Sequence, residues 1–336
     1  MRFTFSDEQR AFQRAVRDYL EKECPPQHVR AMAGDESGRS PALWKGLADL
    51  GVVGLTVPES YGGLGMNEID LVLILEEAGR AALPEPLVET TAIAASLIRD
   101  YAPEQFQKDW LPKIASGEAI ITVSPGAGGP VTDAHAAMLM LVPGERGIYA
   151  VPTSELVLAP EASVDATRRV FSFEGSSQGE LIAPNPEASE AAFDRGAFAT
   201  AAVLCGIADR VIELAAAYAK ERQQFGKPIG SFQAVKHLLA DALLGLEFAR
   251  PAVWRSAWSI ATDAPDRARD TSIAKALASD AAVDACRAAL QVHGAIGYTH
   301  EHDLHLWLNK GFALSAAWGS AARHRDRVGR IVLDPS

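Results

Sequence analysis

The sequence predicts an α+β protein in which an N-terminal helical domain, a small β domain and a C-terminal four-helix bundle follow one another. Two long stretches carry apolar residues at helical spacing, and short apolar runs divided by glycine, proline and aspartate lie between them. Alanine is abundant in the second helical stretch, where it favours long, closely packed helices. We expect the domains to span residues 1–118, 119–185 and 186–336.

The N-terminal domain should begin with a well-defined helix. Ser6 and Gln9 have the spacing of a capping box, and the helix should continue to about Cys24, where Pro25 and Pro26 stop it. Further helices are expected over residues 42–50, 68–80, 88–100 and 103–114.

The middle domain should be small, because its candidate strands are short and breaker residues separate them. The expected strands cover residues 137–142, 147–151, 156–158 and 169–174. The C-terminal domain should then contain four long helices with short connections, which pack most simply as an antiparallel bundle. These helices are expected over residues 193–222, 231–261, 264–293 and 303–331.

Composition excludes several classes of protein. The net charge of −11 argues against a nucleic-acid partner, since such proteins usually present a basic face. No run approaches the roughly 18 to 20 apolar residues of a membrane span, and the acidic N-terminus does not resemble a secretory signal. Cys24, Cys205 and Cys286 are too few and too scattered for a disulfide framework or a zinc site. We expect a cytoplasmic protein with no metal.

Seven motifs carry a family resemblance. They are 44–47 (Trp-Lys-Gly-Leu), 51–54 (Gly-Val-Val-Gly), 58–65 (Pro-Glu-Ser-Tyr-Gly-Gly-Leu-Gly), 111–118 (Leu-Pro-Lys-Ile-Ala-Ser-Gly-Glu), 165–168 (Asp-Ala-Thr-Arg), 222–233 (Arg-Gln-Gln-Phe-Gly-Lys-Pro-Ile-Gly-Ser-Phe-Gln) and 291–299 (Gln-Val-His-Gly-Ala-Ile-Gly-Tyr-Thr). A single glycine-rich turn would be weak support. In this order, on an α–β–α chain, the motifs resemble the acyl-CoA dehydrogenase family over essentially the whole length.

The resemblance implies a reaction. Enzymes of this family remove a proton from the α-carbon and a hydride from the β-carbon of an acyl-CoA, which gives a 2-enoyl-CoA. FAD accepts the hydride, and the electrons then leave to an electron-transfer carrier. The protein supplies a base, orientation and electrostatics around the flavin.

The resemblance also implies residues that bind the cofactor. In the family the turn at 222–233 reaches the flavin of a neighbouring subunit, which assigns this role to Arg222, Phe225 and Gln233. A guanidinium fork matches the oxygens of a pyrophosphate. The segment 291–299 should contact the same cofactor, with backbone N–H groups that face phosphate at a helix start. The residues concerned are Gln291, Gly294, Ala295 and Gly297.

The residues alone also allow a purely structural interpretation of these motifs. Gly226 and Gly230 would end a helix, and Arg222 would pair with a nearby acid. Without the family resemblance, neither interpretation is preferred.

The sequence departs from the family at the catalytic base. One group of relatives carries its carboxylate at the position of Trp318, and the other group carries it at the position of Gly196, with an arginine in place of Ala197. Neither an indole nor a glycine can abstract a proton. No catalytic residue is therefore assigned at the usual positions.

The nearest acids are weak substitutes for that base. Asp194 is two residues from Gly196, which places it about 200° around a helix, so that it should face elsewhere. Asp194 is expected instead to be an acid in the first helical turn, where it complements the helix dipole, with Arg195 exposed beside it. Glu174 lies in the β region.

The flavin-ring pocket also departs from the family. Residues 124–129 (Ser-Pro-Gly-Ala-Gly-Gly) are a remnant of the flavin-facing strand motif, and 130–132 (Pro-Val-Thr) correspond to a Trp-x-Thr strand that packs on the isoalloxazine ring. The segment normally between the two is almost absent. An Arg-Asp pair of the last helix corresponds to Asn309 and Lys310. We expect the ring pocket on this chain to be incomplete.

These losses lead to a hypothesis about assembly. The residues that would contact the flavin of a neighbouring subunit are present, whereas the residues that would bind this chain's own flavin and substrate are replaced or missing. A symmetric homo-oligomer needs both sets on every chain, and a heteromer does not. Some short bacterial relatives, notably in steroid side-chain degradation, form heterotetramers with fewer flavins than chains. We expect this chain to be the subunit without a base, bound to a full-length acyl-CoA dehydrogenase and sharing FAD at the interface.

Three alternatives remain open at this stage. The chain could be a self-sufficient dehydrogenase that uses an atypical base such as Asp194, or a structural or regulatory relative without flavin. A metal site formed by His300, His302 and His305 is a third possibility, although solvated or core histidines are the simpler interpretation.

Overall fold

The structure is a computed structural model that describes residues 4–126, 129–174 and 179–333. The chain forms two compact units. The first, here called the bundle unit, comprises Met1–Gln27, Leu75–Leu83 and Thr200–Ser336, and the second, here called the mixed unit, comprises His28–Ile74 and Pro84–Ala199. The expected division into three domains stays a prediction.

The helical N-terminal part is confirmed. Ser6 forms the expected capping box, since its Oγ accepts the N–H of Gln9 at 3.2 Å and its own N–H donates to Gln9 Oε1 at 2.8 Å. The helices are α1 (Asp7–Glu23), α2 (Pro26–Gly34), α3 (Pro41–Asp49), α4 (Glu68–Arg80), a π-helical segment (Val88–Ala95) that runs into α5 (Ser96–Tyr101), and α6 (Glu104–Ala115). Helix α1 ends before Pro25 and Pro26, as predicted, but Pro26 is also the first residue of an unexpected helix, α2, where a missing N–H costs least.

The mixed unit contains two small sheets. Their strands are β1 (Ile121–Val123), β2 (Val131–Thr132), β3 (Leu139–Gly144), β4 (Gly147–Pro152), β5 (Val157–Glu161), β6 (Val170–Glu174) and β7 (Glu180–Ala183). One sheet has the order β1-β3-β4-β7, with β1 parallel to β3, and the other has the order β2-β6-β5. The four predicted strands correspond to β3 to β6, and the very short β1, β2 and β7 are additional.

The C-terminal helical bundle is confirmed with one correction. Its elements are α7 (Glu187–Glu221), a hairpin of β8 (Gln223–Gln224) and β9 (Lys227–Pro228), α8 (Gln233–Ala261), α9 (Arg267–His293), α10 (Leu304–Ala316) and α11 (Ala321–Leu333). The prediction of one continuous helix over 303–331 is wrong. Trp318 and Gly319 interrupt it with φ values of 53° and 101°, which no right-handed helix accommodates.

Buried ion pairs hold the end of α4 inside the bundle unit. Glu76 accepts hydrogen bonds from Trp254 Nε1 at 3.0 Å and from Arg250 Nε at 3.2 Å. Glu77 accepts from Arg17 at 2.7 Å, and Arg80 pairs with Glu213 at 2.8 Å. Burial raises the pKa of Glu76, and Arg250 opposes that shift. Removal of one partner would leave a buried charge uncompensated.

Two glycines allow helices α4 and α7 to touch within the bundle unit. A Cβ on Gly206 would collide with the carbonyl oxygen of Glu76, and a Cβ on Gly79 would collide with the carbonyl oxygen of Val203. Backbone cannot yield as a flexible side chain can. The crossing therefore requires glycine on both helices. Across the described residues, no helix is both long and apolar enough to cross a membrane.

Gly206→Ala should lower the free energy of unfolding by about 2 kcal/mol or more, because the new methyl group forces the two helices apart. Chemical denaturation of the purified chain measures this loss. Gly329→Ala is the matched control. Its Cβ would meet nothing within 4 Å, so higher helix propensity should make it neutral or stabilising. Equal stabilities of the two variants would contradict the assigned crossing.

Candidate cofactor half-site and base position

The hairpin after α7 presents an aromatic ring outward. Phe225 and Gly226 form its two-residue turn, and both have positive φ, at 54° and 76°, which matches the twist of the flanking strands. A bulky residue in this left-handed region is disfavoured by its own backbone. The Phe225 side chain is 91% exposed, and its ring meets that of Phe232 edge to face, with centroids 6.2 Å apart. Strain and exposure together favour a role in contact with another molecule.

The other residues predicted around this hairpin are also exposed. The Arg222 backbone is fixed by two bonds of 2.8 Å: its N–H donates to Tyr218 O, and its carbonyl accepts from Ile229 N–H. Its guanidinium is exposed and pairs with no acid in the described part of the chain, which removes the ion pair proposed in the purely structural interpretation. Gln233 is the exposed first residue of α8.

The glycine loop follows the end of α9. Gly294 has a φ of 64°, and a Cβ built there would meet nothing within 4 Å, so the backbone is open to a close approach. A Cβ on Gly297 would meet Leu290 and His293 at 3.0 Å. The short helical turn Gly294–Tyr298 precedes α10, which begins only at Leu304. The expectation that these N–H groups lie at the start of the last α-helix is therefore wrong.

The predicted residues thus fall into two neighbouring clusters of the bundle unit. Gln291 is exposed and lines a groove of about 610 Å³ between α8 and α9. Tyr218, one turn before Arg222, stacks on His293, immediately before Gly294, with ring centroids 4.5 Å apart. We call the six residues of these clusters the half-site: Arg222, Phe225, Gln233, Gln291, Gly294 and Gly297.

The hydrogen-bond donors of the half-site are suited to the phosphate groups of a dinucleotide. An exposed guanidinium and an open glycine backbone are groups that bind pyrophosphate oxygens. Phe225 offers an exposed face for a planar ring.

The first base position holds a buried tryptophan. Trp318 lies in the break between α10 and α11, and only 7% of it is exposed. The break is clamped by Lys275, which is fully buried and donates to the carbonyl oxygens of Leu314, Ser315 and Gly319 at 3.0 to 3.2 Å. A lysine here satisfies carbonyls that the end of α10 would otherwise leave unpaired. The turn is therefore held firmly, and it carries no acid.

The second base position also has no carboxylate. Gly196 and Ala197 are buried in α7 within the mixed unit. Asp194 is 1% exposed, and because α7 begins at Glu187, it does not lie in the first turn as expected. The expectation that Arg195 is exposed is also wrong. Arg195 is buried and donates to Asp100 at 2.5 Å, with Glu68 at 3.5 Å.

The strand predicted to face the flavin ring carries an internal hydrogen bond instead. Thr132 Oγ1 donates to Glu89 Oε1 at 2.7 Å, and the Thr132 carbonyl accepts from Thr122 Oγ1 at 2.6 Å. Asp133, next in sequence, is buried with a positive φ, and burial together with Glu89 raises its pKa to about 8. Two buried carboxyl groups next to an engaged hydroxyl do not fit a flavin ring. Within the remnant 124–129, Ala127 and Gly128 lie outside the described residues.

The histidine-rich segment before α10 has structural contacts. His302 Nδ1 accepts the N–H of Leu304 at 3.1 Å, and the rings of His300 and His305 meet edge to face at 4.9 Å. Within the described ranges, no three His, Cys, Asp or Glu side chains are grouped as a metal site would require. His302 also lies against His293, at 4.6 Å between ring centroids.

Sequence reasoning did not find several of these residues. Glu89, Lys275 and His324 carry buried charge or polarity. Glu89 and Lys275 are each the charged residue of an apolar or alanine-rich run, which was a usable signal for burial with a partner, whereas His324 lies between two arginines and had no such signal. Which partner each residue has could not be predicted, because all three partners are distant in sequence or lie in a turn.

Comparisons with known proteins agree over most of the chain. The family model described as Acyl-CoA dehydrogenase, N-terminal domain, matches residues 6–118, and the one described as Acyl-CoA dehydrogenase, C-terminal domain, matches residues 187–333. The chain is 31% identical over 309 residues to the acyl-CoA dehydrogenase IpdE2 of Mycobacterium tuberculosis, covering 90% of this chain and 91% of that protein.

Two solved structures share the fold. A variant of the Tcur3481-Tcur3483 steroid ACAD has a TM-score of 0.92 at 27% identity and covers 98% of both chains. A chain of the ChsE4-ChsE5 complex from Mycobacterium tuberculosis has a TM-score of 0.93 at 24% identity and covers 99% of both chains, a similarity that concerns the fold.

Acid should destabilise the chain through His324, which is fully buried, with Nε2 2.9 Å from the Trp318 carbonyl. Burial lowers its pKa from 6.5 to about 4, so the unfolded chain takes up this proton first as pH falls. Stability should be unaffected above pH 6.5 and should fall by about 3 kcal/mol in total as pH approaches 4.

Denaturation across this pH range measures the slope in the wild type and in His324→Gln. The variant should lose this part of the pH dependence, whereas His237→Gln, at an exposed position of α8, should keep it. Identical slopes in all three proteins would refute the assignment.

Proposed function

Because the chain belongs to the acyl-CoA dehydrogenase family, we propose that it is the subunit without a base in a heteromeric, FAD-dependent acyl-CoA dehydrogenase. Family membership makes it part of an oxidoreductase system that acts on CH–CH bonds. The observation that carries the narrower proposal is the buried Trp318 at the position where one group of relatives has its carboxylate. The other position, Gly196, is equally unable to accept a proton.

The proposed reaction is the α,β-dehydrogenation of an acyl-CoA to a 2-enoyl-CoA. Bound FAD supplies the hydride acceptor, and the electrons pass on to an electron-transfer carrier. The α-proton needs a basic side chain near the substrate, which in this proposal comes from a full-length partner subunit. The acyl group is proposed to be a steroid side chain, because the solved relative at 27% identity is a steroid ACAD.

This chain is proposed to contribute one wall of the shared FAD site. Arg222 would hold the pyrophosphate with its guanidinium, and the open backbone at Gly294 would approach the same phosphates. Phe225 would cover part of the cofactor, while Gln233 and Gln291 would donate hydrogen bonds to its polar edge. The exposure of these side chains supports a ligand that another subunit helps to bind.

Contacts in the mixed unit support an assembly in which only the partner subunit binds the flavin ring. Thr132 is already bonded to Glu89, and Asp133 adds a second buried carboxyl group beside it. A hydroxyl has one hydrogen to donate, so Thr132 Oγ1 has none left for a flavin ring while it is bonded to Glu89. The chain therefore offers a nucleotide wall to a neighbour and no ring pocket for itself. The name of the solved relative joins two proteins, as expected for a heteromer.

Two rivals make different predictions. A self-sufficient enzyme with Asp194 as its base would lose activity on Asp194→Asn, whereas the heteromer should keep most of its rate. The near-complete burial of Asp194 favours the second outcome. A flavin-free structural relative would leave even the co-purified complex colourless.

Co-expression tests the proposal directly. The chain alone should purify without stoichiometric FAD, and co-expression with a full-length acyl-CoA dehydrogenase of its own genome should give a yellow complex with fewer flavins than chains. In that complex, Arg222→Ala should weaken FAD binding about tenfold or more, through the loss of a charge-assisted phosphate contact. Arg146→Ala, at an exposed turn between β3 and β4, should have no effect. Full FAD occupancy in Arg222→Ala would contradict the assigned wall.

Trp318→Glu should not create an active enzyme in the isolated chain. The change restores only a carboxyl group at position 318, while Thr132 remains bonded to Glu89 and the ring pocket stays absent. Turnover of acyl-CoA with added FAD is the measurement, and stability of the variant by denaturation is the control. Activity in this variant would show that the base alone had been lost.

A further inference from the structure

Three aromatic rings adjoin residues of the half-site and pack against one another. Tyr218 and His293 are nearly parallel, with an interplanar angle of 24° and centroids 4.5 Å apart. His302 lies against His293 at 4.6 Å with a tilt of 60°, and it meets Tyr218 edge-on at 6.3 Å. The rings come from the last turns of α7, the last residue of α9 and the segment before α10, all within the bundle unit. We call them the aromatic column.

The aromatic column joins the two clusters of the half-site. Tyr218 lies one turn before Arg222, and its backbone carbonyl accepts the Arg222 N–H at 2.8 Å. His293 directly precedes Gly294, and its Cβ would lie only 3.0 Å from a Cβ on Gly297. The stacked pair of Tyr218 and His293 therefore links the end of α7 to the glycine loop, and loss of this stacking should change the position of the loop relative to Arg222.

The hydrogen bonds determine the tautomers of both imidazoles. His293 Nδ1 lies 2.8 Å from the carbonyl of Ala289 and must donate to it, so the neutral ring has no hydrogen on Nε2. That Nε2 is buried and has no hydrogen-bond partner in the described ranges. His302 Nδ1 accepts from Leu304 N–H, so its own hydrogen is on Nε2. In its neutral form, His293 thus carries its hydrogen on Nδ1, and its ring is stacked on Tyr218 and tilted against His302.

We propose that His293 is a positioning residue of the half-site: through its neutral ring, stacked on Tyr218 and tilted against His302, it sets the separation of Arg222 and Gly294 and so the binding of a dinucleotide phosphate. This inference rests on the proposed function of the half-site. His293 touches no phosphate itself and acts through Gly294 and Gly297.

A proton on His293 should disrupt this arrangement. It would place a charge on buried Nε2, which has no acceptor, beside the titratable rings of Tyr218 and His302. Burial lowers the pKa of His293 below 6.5, and His302 acts in the same direction. Since the folded pKa is depressed, the folded arrangement is unaffected above pH 6.5 and loses stability as pH falls below it.

The purified heteromer with bound FAD provides the first test. Wild-type affinity for FAD, followed by flavin fluorescence, should fall below pH 6.5. His293→Phe retains a stacked neutral ring, so it should bind FAD within about threefold of wild type above that pH and lose the acid dependence. His293→Ala leaves the column open and should weaken binding about tenfold or more at every pH. His300→Ala, at an exposed neighbouring histidine, should match wild type. Acid dependence that persists in His293→Phe would overturn the proposal.

A second measurement needs no flavin. Proton titration of the histidines by NMR in the full chain, assigned by the loss of one signal in His293→Phe, should show that His293 titrates below pH 6.5. Ordinary titration of His293 would overturn the inference even if the heteromer binds FAD. If no complex binds FAD, the proposed function fails, and the inference about a cofactor site fails with it, whatever this titration shows.

Discussion

A carbon acid beside a thioester ionises at a useful rate only when a basic side chain is placed against it, and the relatives of this chain meet that requirement with a carboxylate. Here the turn that would carry one holds a buried indole. The turn is not loose: Lys275 donates to three of its carbonyl oxygens from a fully buried position. Under the proposed function, this turn keeps the scaffold of a base position without the base.

The two units differ in what they offer to a ligand. In the bundle unit, the exposed side chains of Arg222 and Phe225 and the open backbone at Gly294 are accessible to a ligand. In the mixed unit, Thr132, which would face a flavin ring, already donates its hydrogen bond to Glu89, and Asp133 is buried beside it. The bundle unit has strained and exposed groups that could contact a ligand, whereas the Thr132 hydroxyl of the mixed unit is already hydrogen-bonded within the chain. This difference matches a subunit that completes a neighbour's site.

Local signals in the sequence were sufficient for most of the fold. The capping box at Ser6 and Gln9 predicted the first helix, and alanine content predicted the bundle. Failures occurred where a local signal has two meanings. Pro26 follows the end of one helix, as predicted, and also starts another that was not predicted, and the two-residue strand at Val131 is too short to have a period. The break at Trp318 depends on Lys275, forty-three positions earlier, which no local pattern reveals (318 − 275 = 43). The burial of Arg195 likewise depends on Asp100 and Glu68, which are distant in sequence.

The most direct measurement is anaerobic mixing of the purified chain, free of any partner and supplied with FAD, with an acyl-CoA that its heteromer oxidises. The account predicts no bleaching of the flavin, because no side chain of this polypeptide removes the α-proton. Rapid, substrate-dependent bleaching by the chain alone would contradict it and would place a working base within this sequence.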